Sequence, residues 1–274
     1  MIGTSNGVER VIAAFAAAKS AGRGALVPYL CAGDPDAATT AALLDTLGPA
    51  GSDVIELGIP YGDPLADGPT VAAAAQRALD SGTTLEQVLA LAAAANARGA
   101  PPIVAFTYFN PIVQFGLERF ADALVEAGMC GALVPDVPLE ETAALQAAFE
   151  PRGLALPLFI APTTPPGRAV AIARASRGFT YVVSRLGVTS ARREPDFSWI
   201  AERVGALRAA SPEPLAIGFG ISTREHVRRA CAIADGAIVG SALVDAYAGT
   251  SGDEAVRRVR AFIEDLRQGT TREP

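Results

Sequence analysis

Glu56, Asp63 and Asp67 crowd into one stretch, D-V-I-E-L-G-I-P-Y-G-D-P-L-A-D-G-P-T, from Asp53 to Thr70. Val54, Ile55, Leu57 and Ile59 make an aliphatic run of strand length, and Glu56 stands inside it. A carboxylate there has three readings: a misassigned strand, a buried ion pair, or a group kept from water so that it exchanges protons near neutral pH. Asp63 before Pro64 has the residue types of a turn. Asp67 before Gly68-Pro69 suits a helix start, its oxygen capping and the proline in the first turn, and a catalytic carboxylate is the competing reading.

Two glycine clusters form the second feature, Gly218-Phe219-Gly220-Ile221-Ser222 and Gly240-Ser241. Glycine lets backbone N–H groups approach an anion closely, so the pair reads as a phosphate cradle; each alone is also an ordinary turn. Tyr108 and Tyr181 place ring hydroxyls late in strands three and six, where core packing competes with a role in the site. Asp136 and Arg185 read as structural or surface groups, and His226 as an exposed helical residue.

The elements that must carry these groups alternate regularly. A helix at Val8 to Ser20 precedes strands at Ala25 to Gly33, Asp53 to Pro60, Ile103 to Phe109, Gly131 to Val137, Ala155 to Ile160, Phe179 to Ser184, Leu215 to Gly218 and Gly236 to Val239. Helical patterns follow each strand. Two lie between the second and third strands, about Thr70 to Ser81 and Thr84 to Arg98, with Thr83 as a cap for the second. Eight such units in one chain without a linker predict a single α/β domain over 1–274, a (β/α)8 TIM barrel with an extra N-terminal helix and a frayed polar tail at about 268–274. In that fold chemistry gathers at the C-terminal strand ends, where Glu56 and both glycine clusters fall. The polar stretch Arg185 to Asp196 after strand six reads as a lid or as surface.

Composition narrows the partners. The chain has 274 residues, half of them hydrophobic, enough for a large core. A net charge of -6 without a basic run speaks against nucleic acid or an anionic membrane, so a phosphate must be held locally. Cys31, Cys130 and Cys231 are widely spaced and read as reduced thiols of a cytoplasmic protein. One histidine excludes a multi-histidine zinc site, and no apolar run reaches the ~20 residues that span a bilayer.

Six motifs, in order, resemble the tryptophan synthase alpha subunit family: P-Y-L-C-A-G-D-P at Pro28 to Pro35, E-L-G-I-P-Y-G-D-P-L-A-D-G-P at Glu56 to Pro69, D-V-P at Asp136 to Pro138, Y-V-V-S-R-L-G-V-T at Tyr181 to Thr189, G-F-G-I-S at Gly218 to Ser222, and V-G-S-A at Val239 to Ala242. The resemblance implies a lyase that splits indole-3-glycerol phosphate into indole and glyceraldehyde 3-phosphate by a retro-aldol type step, with no metal or cofactor in this chain. It implies Glu56 as proton carrier, Asp67 as holder of the indole N–H, and Tyr181 beside Glu56. Tyr29, Phe106, Leu133, Ile160 and Phe219 would enclose the ring, with Tyr108 among the substrate contacts. Gly220, Gly240, Ser241 and Ser190 would bind phosphate; Ser190 departs from the family's usual glycine, and Cys31 from its usual small hydroxyl residue. Arg185 to about Pro195 resembles the family's lid, with Thr189 reaching toward Asp67. The family pairs with a pyridoxal phosphate-dependent beta subunit in an alpha2beta2 assembly, which Asp63 would face. A non-catalytic homologue acting as an interaction subunit, a free-standing lyase, and a different phosphate-binding barrel enzyme are the alternatives at this point.

Overall fold

The computed structural model describes residues 6–185 and 195–272. Its strands are β1 (Ala25–Cys31), β2 (Ile55–Gly58), β3 (Ile103–Phe106), β4 (Ala132–Leu133), β5 (Leu158–Ile160), β6 (Thr180–Val183), β7 (Leu215–Gly218) and β8 (Gly236–Val239). All pair in parallel, in the order β4-β3-β2-β1-β8-β7-β6-β5. The outer strands meet at a parallel bridge between Gly131 and Ala155, where Ala155 N–H donates to Cys130 O at 2.7 Å and Ala132 N–H to Ala155 O at 3.0 Å. Only glycine permits that approach, because a Cβ at position 131 would lie 2.0 Å from Ala155 O. The sheet thus closes into a (β/α)8 barrel.

Outside it run α1 (Gly7–Ser20), α2 (Ala37–Ala50), α3 (Pro69–Asp80), α4 (Leu85–Ala97), α5 (Phe109–Phe115), α6 (Leu117–Glu126), α7 (Ala143–Phe149), α8 (Pro166–Ala175), α9 (Ser198–Ala210), α10 (Arg224–Ile233), α11 (Ser241–Tyr247) and α12 (Gly252–Gln268). Local chemistry sets their ends. A capping box of Asn6 and Glu9 starts α1, which buries Val11, Phe15 and Ala18. Thr84, not Thr83, caps α4, since it is Thr84 whose oxygen can reach Gln87 N–H while Gln87 reaches back. Helix α2 stops at Gly51, whose φ of 116° is open to glycine.

Three expectations are corrected. The third strand ends at Phe106, and Phe109 opens helix α5 because the Asp136 carboxylate accepts its N–H at 3.0 and 3.1 Å. Tyr108 therefore lies beyond the strand, at the helix cap. The tail is pinned through Arg272: Gly24 N–H donates to Thr270 O at 2.8 Å, and Arg272 donates to Ala234 O at 2.7 Å. His226 is buried, not exposed, and its Nδ1 accepts Ser222 N–H at 3.3 Å, bracing the turn after β7.

Candidate active site

Register decides which side chains meet inside the barrel. Tyr29 pairs with Glu56, Glu56 with Val104, and Gly58 with Phe106. Side chains alternate across a strand, so Glu56 and position 58 share one face while Ile55 and Leu57 take the other. That face is the inner one. The Tyr29 ring fills the space above Gly58, where a Cβ would stand 2.2 Å from its hydroxyl, and meets Phe106 edge-on at 5.6 Å. Across the barrel Tyr181 occupies the matching space above Gly218, where a Cβ would stand 2.1 Å from its hydroxyl. Two strand glycines thus make room for two tyrosines.

Rings line the rest of the mouth. Phe219 meets Tyr181 at 5.8 Å, and Phe106 meets Tyr108 at 6.5 Å. Phe159, which the sequence did not single out, lies 4.7 Å from Tyr181 and 6.5 Å from Phe106. Register sets Phe159 beside Tyr181 and Ile160 beside Val182, so the ring that joins this cluster is that of Phe159. Leu133 pairs with Phe106 and is fully buried, as is Ile160.

Glu56 is 2 % exposed, and its Oε1 has no hydrogen-bond partner among the described residues. Burial alone pushes its carboxyl up to about 8, since the charged form has lost its water and gained no donor. Among the described residues no ion pair compensates it, which speaks against the bland reading of a buried salt bridge. Asp67, half-buried on the loop after β2, is pushed up to about 6 by burial, with the Tyr108 hydroxyl bond pulling the other way. Tyr108 also accepts Ala66 N–H at 3.1 Å, so its phenol anchors the loop backbone beside that carboxylate. Glu56 and Asp67 both raise the Tyr181 hydroxyl, behind its burial, which puts the three groups in one field. The N-cap position of α3 is held by Gly68, not by Asp67. Asp63 is exposed.

The glycine clusters come together beside it. Strands β7 and β8 are neighbours, and each cluster follows its strand directly. Phe219 and Gly220 both have positive φ, 69° and 75°, and Ser184 donates its hydroxyl to Phe219 O, fixing that strained turn. Gly240 and Ser241 open α11 next to the Tyr29 Cβ. Arg185, read from sequence as structural or surface, is buried, with its Nε 2.9 Å from where a Cβ at Gly220 would stand. A cation thus borders the cradle. Thr189 and Ser190 lie outside the described residues, as does most of the Arg185 to Pro195 segment. Among the described residues, no His, Cys, Asp and Glu group of three or more is arranged to hold a metal ion.

Comparison with known proteins bears on the same chain. The family model described as "Tryptophan synthase alpha chain" matches residues 15–271. The tryptophan synthase alpha chain of Synechococcus sp. (strain CC9902) is 47% identical over 255 residues, covering 93% of this chain and 94% of that protein. That of Prochlorococcus marinus (strain MIT 9313) is 46% identical over 264 residues, with 96% of each covered. A structure of Mycobacterium tuberculosis tryptophan synthase superposes with a TM-score of 0.88 at 36% identity, covering 96% of this chain and 99% of that one.

Proposed function

The chain belongs to the tryptophan synthase alpha chain family, a lyase family that cleaves indole-3-glycerol phosphate to indole and glyceraldehyde 3-phosphate in tryptophan biosynthesis, and on that premise we propose how its residues divide the reaction. The observation that supports the division is Glu56, a buried carboxyl on the inner face of β2 whose Oε1 has no hydrogen-bond partner among the described residues. Held up to about 8, it is protonated near neutral pH and so able to act first as an acid. It gives its proton to C3 of the indole. The resulting carboxylate then takes the proton of the glycerol hydroxyl as the carbon–carbon bond breaks, which regenerates Glu56 and releases neutral indole and an aldehyde. Electrons of the broken bond return to the indole ring, and the C–O bond becomes the carbonyl.

Asp67, the lower of the two acids, is ionised when Glu56 is not. It accepts the indole N–H and stabilises positive charge on the ring as C3 is protonated, oriented by Tyr108. Tyr29, Phe106, Leu133, Tyr181 and Phe219 enclose the indole, with Phe159 alongside, whereas Ile160, expected there, falls with Val182 on the other face of β5. Backbone N–H groups at Gly220 and Gly240 and the Ser241 hydroxyl hold the phosphate, and Ser190 adds a donor there. Thr189 belongs to the segment that closes over the site.

The family needs no cofactor of its own, and its members work with a beta subunit. We assign pyridoxal phosphate to that subunit and the complex to an alpha2beta2 assembly. Asp63 and the 72 % exposed Leu65 share a loop that leads from Glu56 to Asp67, a fitting place for a partner to sense the site. No helix among the described residues is long and apolar enough to cross a membrane, and the three cysteines are buried and unpaired, which supports the cytoplasm as the working compartment.

The test is indole release from indole-3-glycerol phosphate by the purified chain, alone and with its beta subunit. Expected are stoichiometric indole and glyceraldehyde 3-phosphate, faster with the subunit. No turnover in either case would leave an interaction subunit; a high rate alone with no stable complex would mark a free-standing lyase.

A further inference from the structure

Asp34 is 1 % exposed in the loop after β1, outside the mouth just described. Arg77 of α3 binds it through both nitrogens, Nε to Oδ1 at 2.7 Å and Nη2 to Oδ2 at 2.9 Å. Tyr247, the last residue of α11 and 1 % exposed, has its hydroxyl raised by burial and by nearby Asp34, and that hydroxyl has no hydrogen-bond partner among the described residues. The loop itself has no slack. Gly33 N–H donates to Thr40 Oγ1 at 2.9 Å, and Gly33, at φ 83°, sits so close to Thr83 that a Cβ would stand 2.0 Å from its Oγ1. Helices α3 and α11 also pack on each other and on β1.

The near ends of these helices carry the site. Asp67 immediately precedes α3, and Gly240-Ser241 opens α11. From Arg77 back to Pro69 is about 12 Å along α3, and from Tyr247 back to Ser241 about 9 Å along α11, at 1.5 Å per residue. The Asp34–Arg77 ion pair therefore fixes α3 against the end of β1, on which α11 also packs, and the near ends of the two helices hold the two ends of the substrate. We propose that Asp34, through Arg77, is a positioning residue that sets the separation between the ring-binding carboxylate Asp67 and the phosphate cradle, and so selects substrates by length. The inference rests on the assignment of those two half-sites in the preceding section. An ion pair is suited to the task because the two-pronged contact fixes angle as well as distance, which a single lysine ammonium does not. A misplacement of about 1 Å caused far from the chemistry costs a well-oriented reaction as much as 10²-fold.

The test separates the half-sites from the distance between them. In Arg77→Gln, binding of indole alone and of glyceraldehyde 3-phosphate alone is expected within about twofold of the parent, while kcat/KM for indole-3-glycerol phosphate falls at least about tenfold. Arg77→Lys is expected to restore kcat/KM only in part, charge being kept and the fork lost. Arg77 is 44 % exposed, so either change leaves room for solvent. If Arg77→Gln does not fold, Arg77→Lys carries the same comparison with a smaller fall. An unchanged kcat/KM overturns the inference. So does a loss of fragment binding equal to the loss in kcat/KM, which is what a merely loosened fold produces. The parent protein's turnover is the separate control, since its absence would refute the lyase assignment and not the ruler.

Discussion

Replacing Glu56 by glutamine removes a proton carrier and also an electrostatic burden, and the two effects run in opposite directions. The carboxyl goes from an ordinary 4.5 to about 8 on folding, because burial strips water from the charged form and no donor replaces it. Between those values the folded chain holds a proton that the unfolded chain has released. Stability therefore falls as pH rises from about 4.5, and the loss levels off above about 8. Near pH 7 linkage puts the cost at about 3 kcal/mol. Glutamine has nearly the same shape and no charge to lose, so Glu56→Gln is expected to gain about that much over the parent near pH 7 and about nothing near pH 4. Urea unfolding of both proteins at several pH values measures it, on the difference between them. Steady-state indole release should meanwhile fall by roughly 10² to 10⁴ in kcat, the usual worth of a positioned acid and base. A stability difference that does not change with pH would refute the burial argument. A fall in kcat under about tenfold would refute the proton-carrier role.

The same two acids shape the pH profile. With Asp67 required as carboxylate and Glu56 as acid, kcat/KM is expected to rise through about 6 and fall through about 8, and a flat profile over that range would contradict the division of roles. Tyr108→Phe deletes the hydroxyl that pulls Asp67 down, so the acidic limb should move to higher pH with about a tenfold loss in kcat/KM; the pH profile of the variant checks the direction. Gly220→Ala puts a Cβ at φ 75° and 2.9 Å from Arg185 Nε, and it should raise KM for the phosphorylated substrate at least about tenfold while binding of indole alone stays put, as competition with inorganic phosphate would reveal.

Much of the architecture was legible because it is written in short-range patterns. Aliphatic runs of strand length, helix caps and the order of eight units need no knowledge of neighbours, and they led to the barrel and to Glu56. The misses share one cause. Helix α5 begins at Phe109 because a carboxylate 27 residues later, Asp136, receives its N–H, and no local signal announces that. His226 looked like one more polar helical residue until its ring was seen under Ser222. The tail looked frayed, yet it pairs with the lead into β1.

Residue types and their spacing determined which groups were chemically available: an acid in a strand, a second acid before Gly-Pro, and two glycine clusters. They also pointed to one end of a barrel for those groups, since each lies in a strand or in the loop that follows one. Tertiary structure alone decided their states. Whether Glu56 was paired, whether Asp67 was spent as a cap, whether Phe159 faced inward and whether Arg185 reached the cradle all depend on contacts between segments far apart in the chain. A pKa or a facing ring is a property of surroundings, and those surroundings exist only once eight strands have closed.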